Sequence, residues 1–247
     1  MNILVCISKV PDTTSKISFV DDNTRFNEEK IQFILNPYDE WYALVRALEL
    51  KEAIGSGNVT VINVGLADNE AIIRKALAIG ADNAVRINAT PDDAFFIAQS
   101  IANYATANNF DLILTGKESI DHNNAAVGAM IAELLDLPFV SLATKLEINA
   151  TTATIEREIE GGKEVITCPL PLVLSCNKGM AEQRIAGMRG IMASRTKVLE
   201  VIEPTEHVVF TTVNQYSLPH EKTTCKYFQV DQVEQLIDAL HNEAKVI

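Results

Sequence analysis

The sequence has no excess of basic residues, and this absence excludes one class of function. Its 21 lysines and arginines are outnumbered by 33 aspartates and glutamates, which gives a formal net charge of −12. A nucleic-acid-binding protein needs a basic face to neutralise phosphates, so we expect no nucleic-acid partner. The apolar runs are of strand length, well short of the roughly 20 residues that span a bilayer. We therefore also expect no direct membrane insertion.

Cysteine and histidine are scarce as well. The four cysteines form no C-x-x-C pair, and the four histidines form no cluster at metal-ligand spacing. These patterns favour reduced, structural thiols and predict no metal site. The first residues lack the basic stretch of a signal peptide and begin directly with an apolar strand, so we expect a cytoplasmic protein.

The sequence does contain a regular alternation of short apolar strands and amphipathic helices over residues 1–137. We predict strands over residues 2–7, 59–64, 84–87 and 112–115, and helices over residues 37–53, 69–79, 92–107 and 124–135. Pro37 suits the first turn of a helix, with Asn36 as its cap. Continuous apolar strands that alternate with helices predict an α/β fold, a buried parallel sheet with helices on both faces.

The pattern changes after Pro138. Residues 139–175 alternate apolar and charged side chains, and Gly161-Gly162 predicts a two-residue hairpin turn, hence an antiparallel hairpin added to the sheet. Residues 177–196 show little periodicity and are predicted to form a loop. We assign residues 1–202 to one α/β domain and residues 203–247 to an extended C-terminal arm. The arm ends in an amphipathic helix over residues 230–243, which must dock on its own domain or on another chain.

The segment over residues 115–128 is the most informative for function. It follows an apolar strand and opens a helix, so it lies at the carboxyl edge of a parallel sheet, where nucleotides bind. The start of a helix offers unpaired N–H groups and a positive dipole end, which suit a phosphate. The segment is neither a P-loop nor a G-x-G-x-x-G motif, and an ordinary helix capped by Asn123 or Asn124 is the other interpretation. At the same edge, Asn36 could hydrogen-bond a base and Tyr38 could stack on a ring.

Four blocks of the sequence carry a family resemblance. They are residues 36–40, residues 76–82, residues 115–121, and residues 155–175, in which an acidic Gly-Gly hairpin precedes Leu170-Pro171-Leu172. Together they resemble the β subunit of the electron transfer flavoproteins, in order over residues 1–202. The resemblance implies a Rossmann-like fold of the adenine nucleotide α-hydrolase-like kind, and no catalytic residues of its own.

The resemblance also implies cofactors and partners. An α subunit would form a heterodimer with this chain and share FAD with it, and this chain would bind a structural AMP. Electrons would pass from flavin dehydrogenases, such as those of acyl-CoA in fatty acid oxidation, to electron transfer flavoprotein-quinone oxidoreductase. The C-terminal arm and its helix would contact the α subunit.

Carried over position by position, the resemblance implies a cofactor-binding set. The set is Cys6, Thr13, Asn36, Pro37, Tyr38, Asp39, Val64, Gly116, Lys117, Glu118, Ser119, Ile120, Asp121, His122, Asn123, Asn124, Ala125, Ala126 and Val127. Tyr38 and Thr13 correspond to positions near the FAD ring. Many relatives have polar side chains where this chain has Ala125, Ala126 and Val127, so phosphate binding would rest on backbone N–H groups, Asn123 and Asn124. A second FAD in place of AMP, as in electron-bifurcating members, is the alternative.

A second set is implied for partner docking within residues 177–196. It consists of Arg184, Ile185, Ala186, Gly187, Met188, Arg189, Ile191 and Met192. Met188 occupies the position of the family's anchoring leucine, and Gly187 and Gly190 beside it predict an exposed, mobile loop. The other interpretation is that Met188 and Met192 fill core space. The basic run that often follows is reduced to Arg195 and Lys197.

Two functions from other classes compete with the electron carrier. A stand-alone adenine-nucleotide sensor of the universal-stress-protein type has a similar sheet, but the hairpin, the docking segment and the arm would be superfluous in it. An adenylating enzyme needs an S-G-G-x-D-S-like loop after the first strand, and Cys6-Ile7-Ser8-Lys9 is not such a loop.

Overall fold

The computed structural model of the chain describes residues 1–206, 208–220 and 224–247. Of the predicted arm over residues 203–247, residues 207 and 221–223 therefore lie outside the described residues. The chain divides into two compact units. The larger comprises Met1–Ile17 and Asn27–Asn214, and the smaller comprises Ser18–Phe26 and Gln215–Ile247.

The larger unit is built on one sheet of nine strands. Among the described residues, the strands are β1 (Asn2–Cys6), β2 (Lys9–Pro11), β3 (Phe19–Val20), β4 (Arg25–Phe26), β5 (Phe33–Leu35), β6 (Asn58–Val64), β7 (Asn83–Ile87), β8 (Leu112–Gly116), β9 (Phe139–Asn149), β10 (Thr152–Ile159), β11 (Gly162–Pro169), β12 (Leu172–Cys176) and β13 (Leu199–Ile202). The order in the sheet is β11-β10-β9-β12-β8-β1-β6-β7-β13. Neighbouring strands are parallel along the part of the sheet with the order β9-β12-β8-β1-β6-β7-β13. Strand β10 pairs antiparallel with both β9 and β11. The predicted parallel sheet with an antiparallel hairpin is confirmed.

Helices cover both faces of this sheet, as predicted. In the part of the chain that the structure describes, the helices are α1 (Asp39–Ile54), α2 (Glu70–Ile79), α3 (Ala94–Ala107), α4 (Val127–Leu134), α5 (Met188–Ser194) and α6 (Val233–Asp238), with a 3-10 turn at Ala67–Asn69 and a π-helical turn at Ala239–Glu243. Ile3 and Val5 of β1 pack with α1 and α2, whereas Leu4 packs with α3 and α4. Each strand residue thus enters one of two cores, because side chains alternate across a strand. No helix among the described residues is long and apolar enough to cross a membrane.

The helices predicted over residues 37–53 and 124–135 start later than expected, and left-handed backbone is the reason. Helix α1 begins at Asp39, because Tyr38 has φ 65°, and Asn36 is not its cap. Helix α4 begins at Val127, because Asn123 and Ala125 have φ 50°. The residue before α4 is Ala126, which has no capping side chain, so the alternative interpretation of a helix capped by Asn123 or Asn124 is wrong.

The hairpin turn lies one residue earlier than predicted. Ile159 of β10 pairs with Gly162 of β11, so the two turn residues are Glu160 and Gly161. Gly161 has φ 83°, a left-handed conformation that glycine adopts without steric cost. Gly162 is the first residue of a strand and does not form the turn.

The predicted docking loop contains a helix. Helix α5 starts at Met188, and Ile191 N donates to Gly187 O at 3.0 Å. Gly190 lies against α2, since a Cβ placed there would be only 2.2 Å from Ala78 O. Met188 is 74% exposed, so the interpretation as a core methionine is wrong for it. The prediction of a loop is also wrong over residues 188–194, where Gly190 allows close packing of a helix, whereas the predicted exposure of Met188 is confirmed.

The smaller unit joins two segments that the sequence did not predict to be partners. Strands β3 and β4 form a short hairpin, and Tyr216 N donates to Asn23 O at 2.7 Å. The rings of Phe19 and Tyr216 stack at 4.8 Å. The predicted terminal helix begins at Val233, three residues later than expected, and continues into the π-helical turn.

We predict that Gly190→Ala destabilises the contact between α5 and α2. The added methyl group would meet the carbonyl of Ala78, and overpacking of this kind costs about 1–3 kcal/mol of the free energy of unfolding. Gly187→Ala is the matched control, because no atom lies within 4 Å of a Cβ at Gly187. Urea unfolding and limited proteolysis within residues 177–198 measure the effect. Equal stability and equal cleavage of the two variants would contradict this packing.

Candidate functional site

Four parallel strands end together at the carboxyl edge of the sheet. Cys6, Val64, Gly116 and Cys176 are the last residues of β1, β6, β8 and β12. Lys117 N donates to Cys176 O at 2.9 Å and extends this edge by one residue. Burial raises the pKa of the Cys6 and Cys176 thiols, so neither is activated as a nucleophile. The edge thus brings together Cys6, Val64 and the start of the loop over residues 116–126 from the predicted cofactor set.

A buried carboxyl group lies beneath this edge. Glu40, in the first turn of α1, accepts hydrogen bonds from Ser8 N at 2.6 Å and Ser8 Oγ at 2.5 Å. Burial raises the pKa of Glu40 to about 8, although the hydrogen bonds from Ser8 and Asn36 act in the opposite direction. Sequence reasoning gave Glu40 no role. Its helical spacing from Leu44, four residues later and fully buried, was the signal that it faces the core.

Asn36 connects the same region to the loop. Its side chain is fully buried, with Nδ2 donating to Glu118 O at 3.0 Å and Oδ1 accepting from Ile120 N at 3.2 Å. Its backbone N–H donates to Ser8 O at 3.0 Å. Both ends of the amide thus bind the loop after β8, so Asn36 positions that loop. A base contact of Asn36 stays a prediction.

The end of β8 passes very close to the start of α1. A Cβ on Gly116 would lie 2.7 Å from Glu40 Cγ and 3.0 Å from Glu40 N, so only glycine fits without displacement. Asp39 lies at this contact, and its burial raises the pKa of its carboxyl, against the lowering effect of Lys117. Pro37 and Tyr38 complete the turn into α1, and the Tyr38 ring is 58% exposed at the edge.

The loop over residues 116–126 leads to an open helix start. Residues 121–125, which include Asp121 and His122, are exposed, and Asn123 N donates to Ser119 O at 2.9 Å. The first hydrogen bond of α4 is Met130 N to Ala126 O at 3.1 Å, so the N–H groups of residues 127–129 precede it. The first N–H groups of a helix have no partner within the helix. They face the end at which the positive helix dipole favours an anion.

Other candidate groups contribute less. Thr13 is exposed in the loop after β2, beside a turn in which Thr14 N donates to Asp12 Oδ1 at 2.9 Å. Lys117 pairs with Glu118 at 2.8 Å, so much of its charge is neutralised locally. Within the residues that the structure describes, no group of three histidine, cysteine or acidic side chains is placed to hold a metal ion.

Comparison with known proteins identifies relatives over most of the chain. The profile of the electron transfer flavoprotein domain matches residues 24–207. Electron transfer flavoprotein subunit beta of Bacillus subtilis is 37% identical, over the full length of both chains. The subunit of that name from Syntrophomonas wolfei is 33% identical over 90% of this chain and 87% of its own. That from Homo sapiens is 32% identical over 83% of this chain and 82% of its own.

The buried carboxyl predicts a pH dependence of stability that Glu40→Gln removes. In the unfolded chain Glu40 loses its proton near its ordinary pKa of 4.5, whereas in the folded chain it keeps the proton up to about pH 8. The free energy of unfolding therefore falls as pH rises through this window, by up to about 1.4 kcal/mol per pH unit. Urea unfolding of both proteins at several pH values between 5 and 8 tests this.

Glutamine can keep both contacts to Ser8, so the variant should fold and show a flatter curve. Glu160→Gln, which removes an exposed carboxylate from the hairpin turn, should retain the slope of the native protein. Parallel curves for the native protein and Glu40→Gln would show that Glu40 is already ionised when buried.

Proposed function

The chain belongs to the electron transfer flavoprotein family as a β subunit, and from that premise we propose its finer function. It forms a heterodimer with an α subunit, shares FAD with it, and carries electrons from flavin dehydrogenases to electron transfer flavoprotein-quinone oxidoreductase in the cytoplasm. Acyl-CoA dehydrogenases of fatty acid oxidation are the expected donors. The chain contributes nucleotide binding and docking surfaces and no catalytic acid, base or nucleophile.

The open start of α4 is the observation that carries the nucleotide part of this proposal. The N–H groups of residues 127–129 lie at the carboxyl edge, directly after the loop that Asn36 binds through Glu118 O and Ile120 N. The first turn of α4 packs closely against β8 at Gly128, where a Cβ would lie only 2.7 Å from Thr115 Oγ1. A phosphate monoester such as that of AMP suits this donor set, because backbone N–H groups and the helix dipole both favour an anion.

The expected FAD contacts are fewer. The exposed ring of Tyr38, held at a left-handed turn before α1, is available to pack against a planar ring system, and Thr13 is exposed as well. FAD supplies the electron-transfer chemistry when bound, and this chain positions it. The small number of such residues supports sharing of the FAD with the α subunit.

The smaller unit supports an interface with the α subunit. Val233, Leu236 and Ile237 of α6 are exposed large apolar residues on a short helix. Exposed apolar patches of this kind are typical of protein–protein interfaces. We assign this face to the α subunit.

Helix α5 is the proposed docking surface for the dehydrogenases. Met188 and Met192 of the helix are exposed, with Met192 at 67%, and so is Ile185 in the segment before it. Methionine is flexible and polarizable, so it suits a surface that meets several partners. Arg184, Ala186, Gly187, Arg189 and Ile191 complete the surface.

We predict that Asn124→Asp releases AMP from the purified heterodimer. The new carboxylate lies in the exposed loop three residues before the start of α4, where it repels a phosphate. Asn124→Ser, a small neutral replacement, is the control and should retain the nucleotide. Mass spectrometry of released nucleotides and melting temperature are the measurements. Two FAD per native heterodimer would favour the electron-bifurcating alternative, and a native protein without any nucleotide would end the proposal.

We predict that Met188→Ala slows electron transfer from the dehydrogenase about ten-fold or more at low dehydrogenase concentration. Loss of a central apolar side chain costs more than about 2 kcal/mol at a binding hot spot, and 1.4 kcal/mol is a factor of ten. FAD content and melting temperature should stay nearly unchanged, because Met188 is exposed. Val165→Ala, which truncates an exposed residue of β11, is the control and should transfer electrons normally. An unchanged rate for Met188→Ala would remove α5 from the docking surface.

A further inference from the structure

Helix α5 cannot be held in place by its own sequence or by its apolar side chains. It has seven residues, and isolated helices shorter than about 12–15 residues are marginal in water. Met188 and Met192 face the solvent, so their burial does not hold the helix. The support must come from polar contacts and from the close approach of Gly190 to α2.

Arg74 of α2 binds the C-terminal end of α5. One of its terminal nitrogens donates to Ser194 O at 2.8 Å and to Lys197 O at 2.7 Å. The last carbonyls of a helix lack partners within it and carry partial negative charge. The half-buried guanidinium of Arg74 supplies both hydrogen-bond donors and a positive charge to these carbonyls. It therefore holds the end of α5 against α2.

Lys197 makes the reciprocal contact with α2. Its Nζ donates to Leu77 O at 3.0 Å and to Ala81 O at 2.5 Å, at the C-terminal end of α2. Burial lowers the pKa of Lys197, which fits an ammonium group drawn into the protein. Lys197 and Arg195 form the reduced basic run of the sequence, but Lys197 turns inward whereas Arg195 is exposed.

The other end of the docking segment is tied to α1. Trp41 Nε1 donates to Arg184 O at 3.0 Å, and the Arg184 guanidinium binds the Glu52 carboxylate with two hydrogen bonds of 2.7 and 3.0 Å. The segment is therefore fixed before α5 as well as after it. Only its outward side chains remain free to meet a partner.

We propose that Arg74 and Lys197 are positioning residues for dehydrogenase docking: by binding the C-terminal carbonyls of each other's segment they hold α5 in a binding-competent form. This inference rests on the proposed docking role of α5. A surface that is ordered before binding loses less conformational entropy in the complex, so its affinity is higher. Loss of either contact should weaken docking without touching the partner or the flavin.

The test compares Arg74→Gln with Arg195→Gln in the heterodimer with the α subunit. Both variants remove one positive charge from the same region, but only Arg74 binds α5 carbonyls. Arg74→Gln should speed hydrogen exchange at the amides of residues 191–197 and raise the dehydrogenase KM about ten-fold, with kcat and FAD content unchanged. Arg195→Gln should leave the exchange unchanged. Arg74→Lys, which keeps a positive donor, should have a KM close to that of the native protein.

Lys197→Met and Lys197→Arg test the reciprocal contact with α2 in the same way. Lys197→Met removes the donor to the α2 carbonyls, and Lys197→Arg keeps a positive donor. Normal exchange in Arg74→Gln and Lys197→Met would overturn the inference. So would faster exchange with an unchanged KM while Met188→Ala raises the KM, because docking would then not depend on the order of α5. If Met188→Ala also leaves the KM unchanged, the docking proposal itself fails, and this inference fails with it.

Discussion

The buried carboxyl of Glu40 joins parts of the chain that are far apart in the sequence. It receives both donors of Ser8 at the end of β1, and it lies against Gly116 at the end of β8. Asn36, beside it, carries the connection on to the loop after β8 through Glu118 O and Ile120 N. Removal of one partner would leave buried polar groups unsatisfied, which costs more than the bond itself contributes. The geometry of the carboxyl edge therefore depends on this polar cluster.

Much of the sheet could be predicted from the sequence, because strands that are buried on both faces are mostly apolar. Ile3 and Val5 of β1 face one core and Leu4 faces the other, and all three are apolar. The carboxyl-edge site could be placed for a related reason. Parallel strands align their ends, so a segment that follows β8 and precedes a helix must lie at that edge whichever side chains it carries.

The details that sequence reasoning missed are those that depend on distant partners. The left-handed backbone at Tyr38 delays the start of α1 to Asp39, yet nothing in the local sequence pattern predicts this conformation. Helix α5 was predicted as a loop because its stabilising groups, Arg74 above all, lie over a hundred residues earlier. The contacts of Asn36 within the chain were missed similarly, since its partners are in the loop over residues 116–126. The local periodicity of apolar residues predicts which side chains are buried. It does not predict which distant donor binds which carbonyl.

The ends of the helices show how the chain separates rigidity from binding. At the start of α3, the Asp93 side chain accepts from Phe96 N at 2.7 Å, and at the end of α5 the carbonyls bind Arg74. Both ends are satisfied inside the protein, and both are held firmly. The start of α4 differs, because Ala126 provides no capping side chain. Open N–H groups at an exposed edge need an acceptor from water or a ligand. An anion could supply this acceptor at α4, whereas Asp93 already supplies one at α3, and for this reason the proposed nucleotide site lies at α4 and not at α3.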